Sequence, residues 1–495
     1  MKRYLKIMSL AVVILTTVSS CDLNKYPFDS IEQSQAFQTV KDATTFDNGL
    51  YNLFRGRQYG IFMFSTDVQA DLLNATLDYG NRNGSPHRWT SFLADDYTIR
   101  DTWSYYYSAL TNVNNFLGNV DKIVPGPKED ATLLPKYKGE AYLMRAYYYH
   151  QLVLRFAKAY DPATAASDLG VPLVLTFDIT LLPKRNTVAE VYTQILADIT
   201  QAKTLLAAVP GAQSSIKLTK DCVTALEARV ALSMQNWTLA ATDANALITS
   251  GTYPLVTTAA TLKAMWVNDV STEVIFQPFA ATTELPNTNS IYLGYNPANT
   301  YYTPDFIPEQ WVIDMYDNAD LRKAVYLEKK TVYIQGAPYQ NVYCVNKYPG
   351  NPALFTGATT NYAQKPKVFR VAEMYLISAE ASAQTAAGEA AALATLNKLR
   401  GARGIPDLSG LSGTTLMNAI KDERGRELFC EGFRLDDLKR WKLGFSRKQA
   451  QNTNIINTGA DFNLKTVLAT DPKFVWGIPA NDISTNPNLV QNTGW

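Results

Sequence analysis

The sequence predicts a mostly α-helical fold of scattered helix pairs, with irregular loops and a few short strands. Three observations carry this. Apolar residues recur every three to four positions over several long stretches, the period of a helix face. Residues 252–360 break that rhythm with Tyr, Pro, Asn and Thr, and with β-type runs such as Glu273-Val274-Ile275-Phe276 and Thr331-Val332-Tyr333-Ile334. Hydrophobic residues are 46% and charged residues 18% of 495, an ordinary globular balance with material for a core. At about 150 residues per domain, the length allows roughly three domains or one large one.

In order along the chain, Lys2, Arg3 and Lys6 precede an apolar run from Ile7 to Val18. A charged start, a short apolar stretch and then small residues make a secretory signal, and the run is short for a bilayer span. Ser19 and Ser20 lead directly into Cys21. This resembles a bacterial lipoprotein signal, cut before a cysteine whose sulfur carries lipid. Residues 1–20 are therefore expected to be a signal peptide and Cys21 the lipidation site. No later run is apolar enough for a membrane helix, so the mature chain is expected to be held by acyl chains.

Residues 22–40 read as an extended tether, followed by short helices over 45–53 and 62–73. Residues 74–98 are rich in Gly, Asn, Asp and aromatics, and Pro86 argues against a helix there. They read as a long surface loop. Trp103, Tyr106, Leu110, Val113 and Leu117 mark a helix over 100–120, and Leu143, Ala146 and Val153 another over 139–156. Thr187 with Glu190 is a capping box that opens a helix to about residue 208, closed by Pro210 and Gly211. Residues 221–234 and 237–250 form a helix–turn–helix whose Ala225, Ala228, Ala240 and Ala244 permit close approach. Residues 368–386 and 389–400 repeat the design around Gly388. Both pairs resemble tetratricopeptide units, here scattered and not tandem. A helix is expected near 308–316 and mostly loop from 474 onward. Regions 21–250, with helix pairs and a loop, and 251–495, with the irregular insert and a helix pair, are expected to form one integrated globular unit.

Charge and composition exclude several functions. Lys+Arg 46 against Asp+Glu 45 gives +1, and removing Lys2, Arg3 and Lys6 leaves 43 against 45, or −2. That is no excess for polyanion binding. His 2 leaves no material for sites built on several imidazoles. Cys222, Cys344 and Cys430 match no zinc spacing and read as buried thiols. There is no phosphate-binding loop, dinucleotide fingerprint, HExxH or GxSxG motif. Glu423, Glu427 and Glu431 stand at i, i+4, i+8 beside Arg424, Arg426 and Arg434, a structural ion network rather than a catalytic row. His150 reads as a core imidazole. No catalytic residue, cofactor or metal is expected, although counting carboxylates leaves a glycosidase pair open, because such a pair is defined by its separation across a cleft.

Val371-Ala372-Glu373-Met374-Tyr375-Leu376-Ile377-Ser378-Ala379-Glu380-Ala381 resembles a signature helix of SusD/RagB-family lipoproteins. So do Glu423-Arg424, Glu427-Leu428, Glu431-Gly432, Arg434 and Asp437-Leu438-Lys439-Arg440-Trp441, and the closing Ile478-Pro479, Asn486-Pro487-Asn488-Leu489 and Gln491-Asn492-Thr493-Gly494-Trp495. Upstream, Gly139-Glu140, Arg145-Ala146 and Gly170-Val171-Pro172-Leu173 are similar to the family's earlier helix and turn. The resemblance spans essentially the whole mature chain and implies a SusD-like helical fold. It implies an outer-membrane lipoprotein, lipid-anchored and facing outward, that binds nutrient and caps a SusC-like TonB-dependent transporter. The implied ligand is an oligosaccharide, with peptide the alternative as in RagB-like members, and the implied role is not enzymatic. Acidic residues just after the cysteine usually help surface export in such lipoproteins, and here only Asp22 is present.

The family's irregular segments form its ligand face, which places this chain's candidates in residues 74–98 and 282–311. The first segment offers Tyr79, Asn81, Arg82, Asn83, His87 and Trp89. The second offers Tyr292, Tyr295, Tyr301 and Tyr302. Flat rings stack on the C–H faces of sugars, while amide and guanidinium groups bond their hydroxyls. Trp89 is expected to stand exposed beside Arg82, Asn83 and Arg88, whereas Tyr292 equally suits a core anchor.

Overall fold

A computed structural model of the chain describes residues 36–495. The expected signal peptide, the expected lipidation site Cys21 and most of the expected tether lie outside the described residues. The N-terminal body is built from α1 (Val40–Arg55), α2 (Ile61–Gln69), α3 (Gly84–Arg88), α4 (Tyr97–Asn119), α5 (Leu133–Phe156) and α6 (Val188–Leu205). The helix–turn–helix is α7 (Lys220–Ser233) and α8 (Trp237–Thr249). The insert carries α9 (Ala259–Val267), α10 (Gln310–Asp314) and α11 (Leu321–Tyr326). The second pair is α12 (Val371–Ser382) and α13 (Glu389–Ala402), followed by α14 (Gly413–Glu427), α15 (Arg434–Arg440) and α16 (Ala480–Thr485).

Strands are short: β1 (Leu73–Ala75), β2 (Val274–Phe276), β3 (Tyr295–Asn296), β4 (Tyr301–Tyr302), β5 (Phe306–Pro308), β6 (Leu327–Ile334), β7 (Ala337–Val345), β8 (Phe369–Arg370), β9 (Phe445–Ser446) and β10 (Thr466–Val467). They form the pairs β1–β5, β2–β8 and β9–β10, and one four-stranded sheet ordered β3-β4-β6-β7. The insert is more regular than its composition implies, with two unforeseen helices, α9 and α11, and a full β6–β7 hairpin.

Local chemistry explains most element bounds. The Thr187–Glu190 box opens α6 as the sequence requires, the Thr187 side chain accepting from the Glu190 N–H at 3.2 Å. A second box, Thr39 with Asp42, starts α1 earlier than expected. Pro135 sits in the first turn of α5 and Pro86 in that of α3, where no helical N–H partner is needed, so neither breaks its helix. Pro86 therefore corrects the expectation of loop throughout residues 74–98.

The helix pairs pack as one body. Arg229 of α7 holds Glu373 of α12 through two bonds of 2.7 and 2.6 Å, and Ser378 of α12 bonds Asn245 of α8 at 2.8 Å. The carboxylate row is fully structural. Arg322 reaches Glu423 at 2.6 Å and Glu427 at 3.1 Å, Arg403 reaches Glu427 at 2.9 Å, and Arg370 reaches Glu431 at 2.6 Å. Arg424 and Arg434 turn instead to Asp437 and Asp71. The three cysteines are buried and free. Among the described residues, no helix is long and apolar enough to cross a membrane.

Candidate functional site

The two irregular segments meet because β1 and β5 pair antiparallel, with Leu73 opposite Pro308 and Ala75 opposite Phe306. Just beyond the pair, the Thr76 N–H donates to the Asp305 carbonyl at 2.9 Å. Arg82 then clamps the Asp305 carboxylate with both Nε, at 2.7 Å, and Nη2. That carboxylate is buried, whereas the Arg82 side chain is 61% exposed. Donating to the Asp305 carboxylate raises the Arg82 pKa further, so its charge is permanent. In the β6–β7 turn the Gln335 N–H donates to Asp78 at 2.9 Å, tying the hairpin to the same loop.

Adjacent strand residues point to opposite faces, which separates Tyr301 from Tyr302. Tyr302 turns inward with Tyr295, their rings 5.1 Å apart, against the small core that contains Val332 and Ile334. Tyr301 lies on the other side and stacks on Tyr333 of β6, with centroids at 4.5 Å and planes at 21°. Asn299 donates to the Tyr301 hydroxyl at 2.8 Å. Both stacked rings remain partly exposed. Tyr333, Asp78 and Asp305 escaped the sequence reading because only long-range pairing brings them here, whereas Asn299 stands two residues from Tyr301 and was missed locally.

Several expected ligand residues lie inside, and the exposure expected for Trp89 is corrected. Trp89 is 3% exposed, donates Nε1–H to the Gln69 carbonyl at 2.8 Å, and meets Phe474 and Phe445 edge-on at 5.0 and 5.7 Å. His87 is fully buried, with Nδ1 2.9 Å from the Val68 carbonyl and Nε2 3.2 Å from Arg447. Burial, and then the Arg447 charge, pull its pKa well below the usual value and keep it neutral. Asn83 is buried in a left-handed conformation at the start of α3, and Tyr292 is buried and stacked on Tyr348 at 5.8 Å. Tyr79 is buried too, its ring edge-on to Phe306 and its hydroxyl accepting from Arg88 at 2.6 Å. Asn81 stays exposed and accepts from Tyr79 at 3.2 Å and Arg88 at 2.5 Å. The loop curls inward because α3 folds it onto Phe445, Arg447 and Phe474, partners over 350 residues away in sequence. What remains at the surface is a face of Asn81, Arg82, Tyr301 and Tyr333, with permanent charge, amide groups and stacked rings.

A second surface feature lies elsewhere. In residues 169–182, Phe177, Ile179, Leu181 and Leu182 are exposed, Ile179 to 84%. Their backbone is fastened from below: Tyr107 donates to the Pro172 carbonyl at 2.8 Å, Tyr149 and Asn114 to that of Val174 at 2.7 Å, and Asn488 to that of Leu182 at 2.7 Å. Beside this strap runs a groove of about 450 Å³ with a mixed lining, Leu117, Tyr142 and Phe177 together with Asn119, Lys122 and Arg145.

A helical body presenting one polar–aromatic face and one apolar strap defines a binding protein of mixed surface chemistry. The comparisons with known proteins agree with that class. A family model described as the SusD family matches residues 328–495, and a second, described as starch-binding associating with outer membrane, matches residues 28–232. The matches do not overlap and together cover well over half of the chain, which belongs to the SusD family. Two SusD-like proteins of Formosa agariphila are each 24% identical over 99% of both chains. Among solved structures, a SusD superfamily protein of Bacteroides thetaiotaomicron matches with TM-score 0.78 and 24% identity, over 92% of this chain and 99% of its own. A putative sugar binding protein of Bacteroides vulgatus matches with TM-score 0.77 and 25% identity, over 93% and 99%. Surface glycan-binding protein A of Bacteroides fluxus matches with TM-score 0.70 and 21% identity, over 92% and 100%, which supports the fold alone.

Proposed function

We propose that this chain is a lipid-anchored outer-membrane protein, attached through Cys21, that binds oligosaccharide and caps a SusC-like TonB-dependent transporter. One observation carries the ligand reading. The Tyr301–Tyr333 stack and the Arg82 guanidinium lie on segments joined by the β1–β5 pair and the Asp78–Gln335 contact. Rings suit the C–H faces of sugars, and Arg82 and Asn81 suit their hydroxyls. The sugar-binding relative from Bacteroides vulgatus supports the same class. Peptide is less suited, because what this region presents is stacked, partly exposed rings. The apolar strap supports the capping role, since exposed apolar patches of this kind mark protein contacts. The chemistry named is recognition without turnover.

Calorimetric titration with a panel of neutral oligosaccharides and of peptides tests the ligand class. Heat with an oligosaccharide is expected, with the affinity reduced in Tyr301→Ala. Heat with peptides alone would reverse the assignment. Affinity purification from outer membranes is expected to recover a large β-barrel protein, and recovery of none would remove the capping role.

A further inference from the structure

The sheet that carries the Tyr301–Tyr333 stack continues past it. Side chains alternate along a strand, so Thr331 and Lys329 share the outward face of β6 with Tyr333, and both are exposed. The other face turns inward, where Val332 and Ile334 join the small core and the Lys330 ammonium lies 4.8 Å from the Tyr302 ring centroid. Register shifts between Lys330, opposite Val342, and Val332, opposite Tyr339, so the extra residue lies in β7 and β6 keeps its alternation. Lys329 stands opposite Tyr343 of β7 and lays its ammonium over that ring, 5.1 Å from the centroid. Tyr343 is half-buried and its backbone is fixed by Gln451, which accepts from the Tyr343 N–H at 2.9 Å and donates to its carbonyl at 3.0 Å. The same Gln451 amide donates to the Pro308 carbonyl of β5 at 3.0 Å, tying this end of the sheet to the β1–β5 pair.

Charge on this surface is unbalanced. Asp305 is taken by Arg82, Glu328 by Lys330 at 2.8 Å, and Asp78 accepts from Gln335. Arg88 meets only neutral oxygens, those of Tyr79, Asn81 and Ser91. Among the described residues Lys329 makes no ion pair. Two cations, Lys329 and Arg88, thus stand without an acid, against Asp78 alone without a cation. An unpaired surface lysine is ordinary when it waves in solvent, but this one is held over a ring on a strand fixed from its far side. Holding the ammonium in place lowers the ordering cost of binding an anion there. Four residues of strand put Lys329 about 13 Å from Tyr333, farther than a single sugar ring spans.

We propose that Lys329 and Tyr343 extend the ligand face and set its specificity for an anionic oligosaccharide, whose acid group meets Lys329 while another ring of the same chain rests on Tyr301 and Tyr333. This rests on the oligosaccharide reading of that face. The test is calorimetry on the mature chain with matched pairs: oligogalacturonate and oligomannuronate, each beside its carboxyl-reduced counterpart, and a sulfated oligogalactan beside its desulfated form. At least one acidic chain is expected to bind about three- to tenfold more tightly than its neutral counterpart, with the preference shrinking as salt is raised. Which pair shows it tells carboxylate from sulfate. Lys329→Gln is expected to lower the acidic chain to the affinity of its counterpart, with the melting temperature unchanged. Lys398→Gln, which removes the same charge from the exposed side of α13, is expected to keep the preference. Tyr301→Ala is expected to weaken both members of the pair. Neutral chains that bind as tightly as acidic ones would overturn this inference and leave the oligosaccharide reading standing. So would a preference that survives Lys329→Gln. Binding of no chain in any pair would remove the oligosaccharide reading itself, and this inference with it.

Discussion

Residues 79–89 and residues 169–182 are both irregular stretches laid on the helical body, yet they bury opposite things. The first is polar in composition but turns Trp89, His87 and Asn83 inward, leaving Asn81 and Arg82 outside. The second is apolar but holds Phe177, Ile179, Leu181 and Leu182 in solvent, while its carbonyls are met by Tyr107, Tyr149, Asn114 and Asn488. A segment's own composition decides neither outcome. Trp89 is buried because Phe445 and Phe474 come from the far end of the chain to receive it, and Ile179 is exposed because no apolar partner comes. A loop that finds partners within its chain serves as scaffold, and one that does not keeps its apolar side chains in solvent.

The largest expected effect comes from breaking the first half of this contrast. Trp89→Ala removes a ring packed edge-on between Phe445 and Phe474 and should cost about 3–5 kcal/mol in denaturant unfolding. A loss below about 1 kcal/mol would mean that the ring is not a core anchor. A pH experiment sharpens the same point. His87 is held neutral, with a folded pKa well below the unfolded one, because burial and Arg447 oppose its charge. The unfolded chain then binds the extra proton, so stability is fully present above about pH 6.5 and declines as pH falls toward the folded pKa. His150, pulled down to about 3 by burial, adds a slope of the same sign. His87→Gln should flatten the acid slope of stability, and an unchanged slope would show that His87 is not held neutral.

Smaller effects belong to the surfaces. Tyr301→Ala removes one ring of an exposed stack and should weaken oligosaccharide binding by about 0.5–1.5 kcal/mol, with folding stability little changed. The least stability change is expected in the strap. Ile179→Asp should stay within about 0.5 kcal/mol of wild type in unfolding, yet lose the proposed barrel partner in outer-membrane pull-downs. A strongly destabilised Ile179→Asp protein would show instead that the strap packs on its own chain.

Helical architecture was legible because it is written locally. The Thr187–Glu190 box, the alanine-lined α7–α8 pair and the structural ion network of the Glu423–Glu427–Glu431 row follow from spacings of three and four residues. The insert was less so, because short strands such as β4 carry only two residues of pattern. The candidate site was half legible. Its two segments meet through the β1–β5 pair, with Arg82 exposed and Tyr301 partly so. Tyr333, which completes the stack, and Phe474, which hides Trp89, sit where only long-range register places them.

One titration tests the central claim most directly: a neutral oligosaccharide panel on wild type, Trp89→Ala and Tyr301→Ala, each at a temperature where it remains folded. The prediction is wild-type affinity in Trp89→Ala and an affinity reduced about two- to tenfold in Tyr301→Ala. Wild-type affinity in Tyr301→Ala, with binding lost in folded Trp89→Ala, would contradict it and move the ligand to the α3 loop.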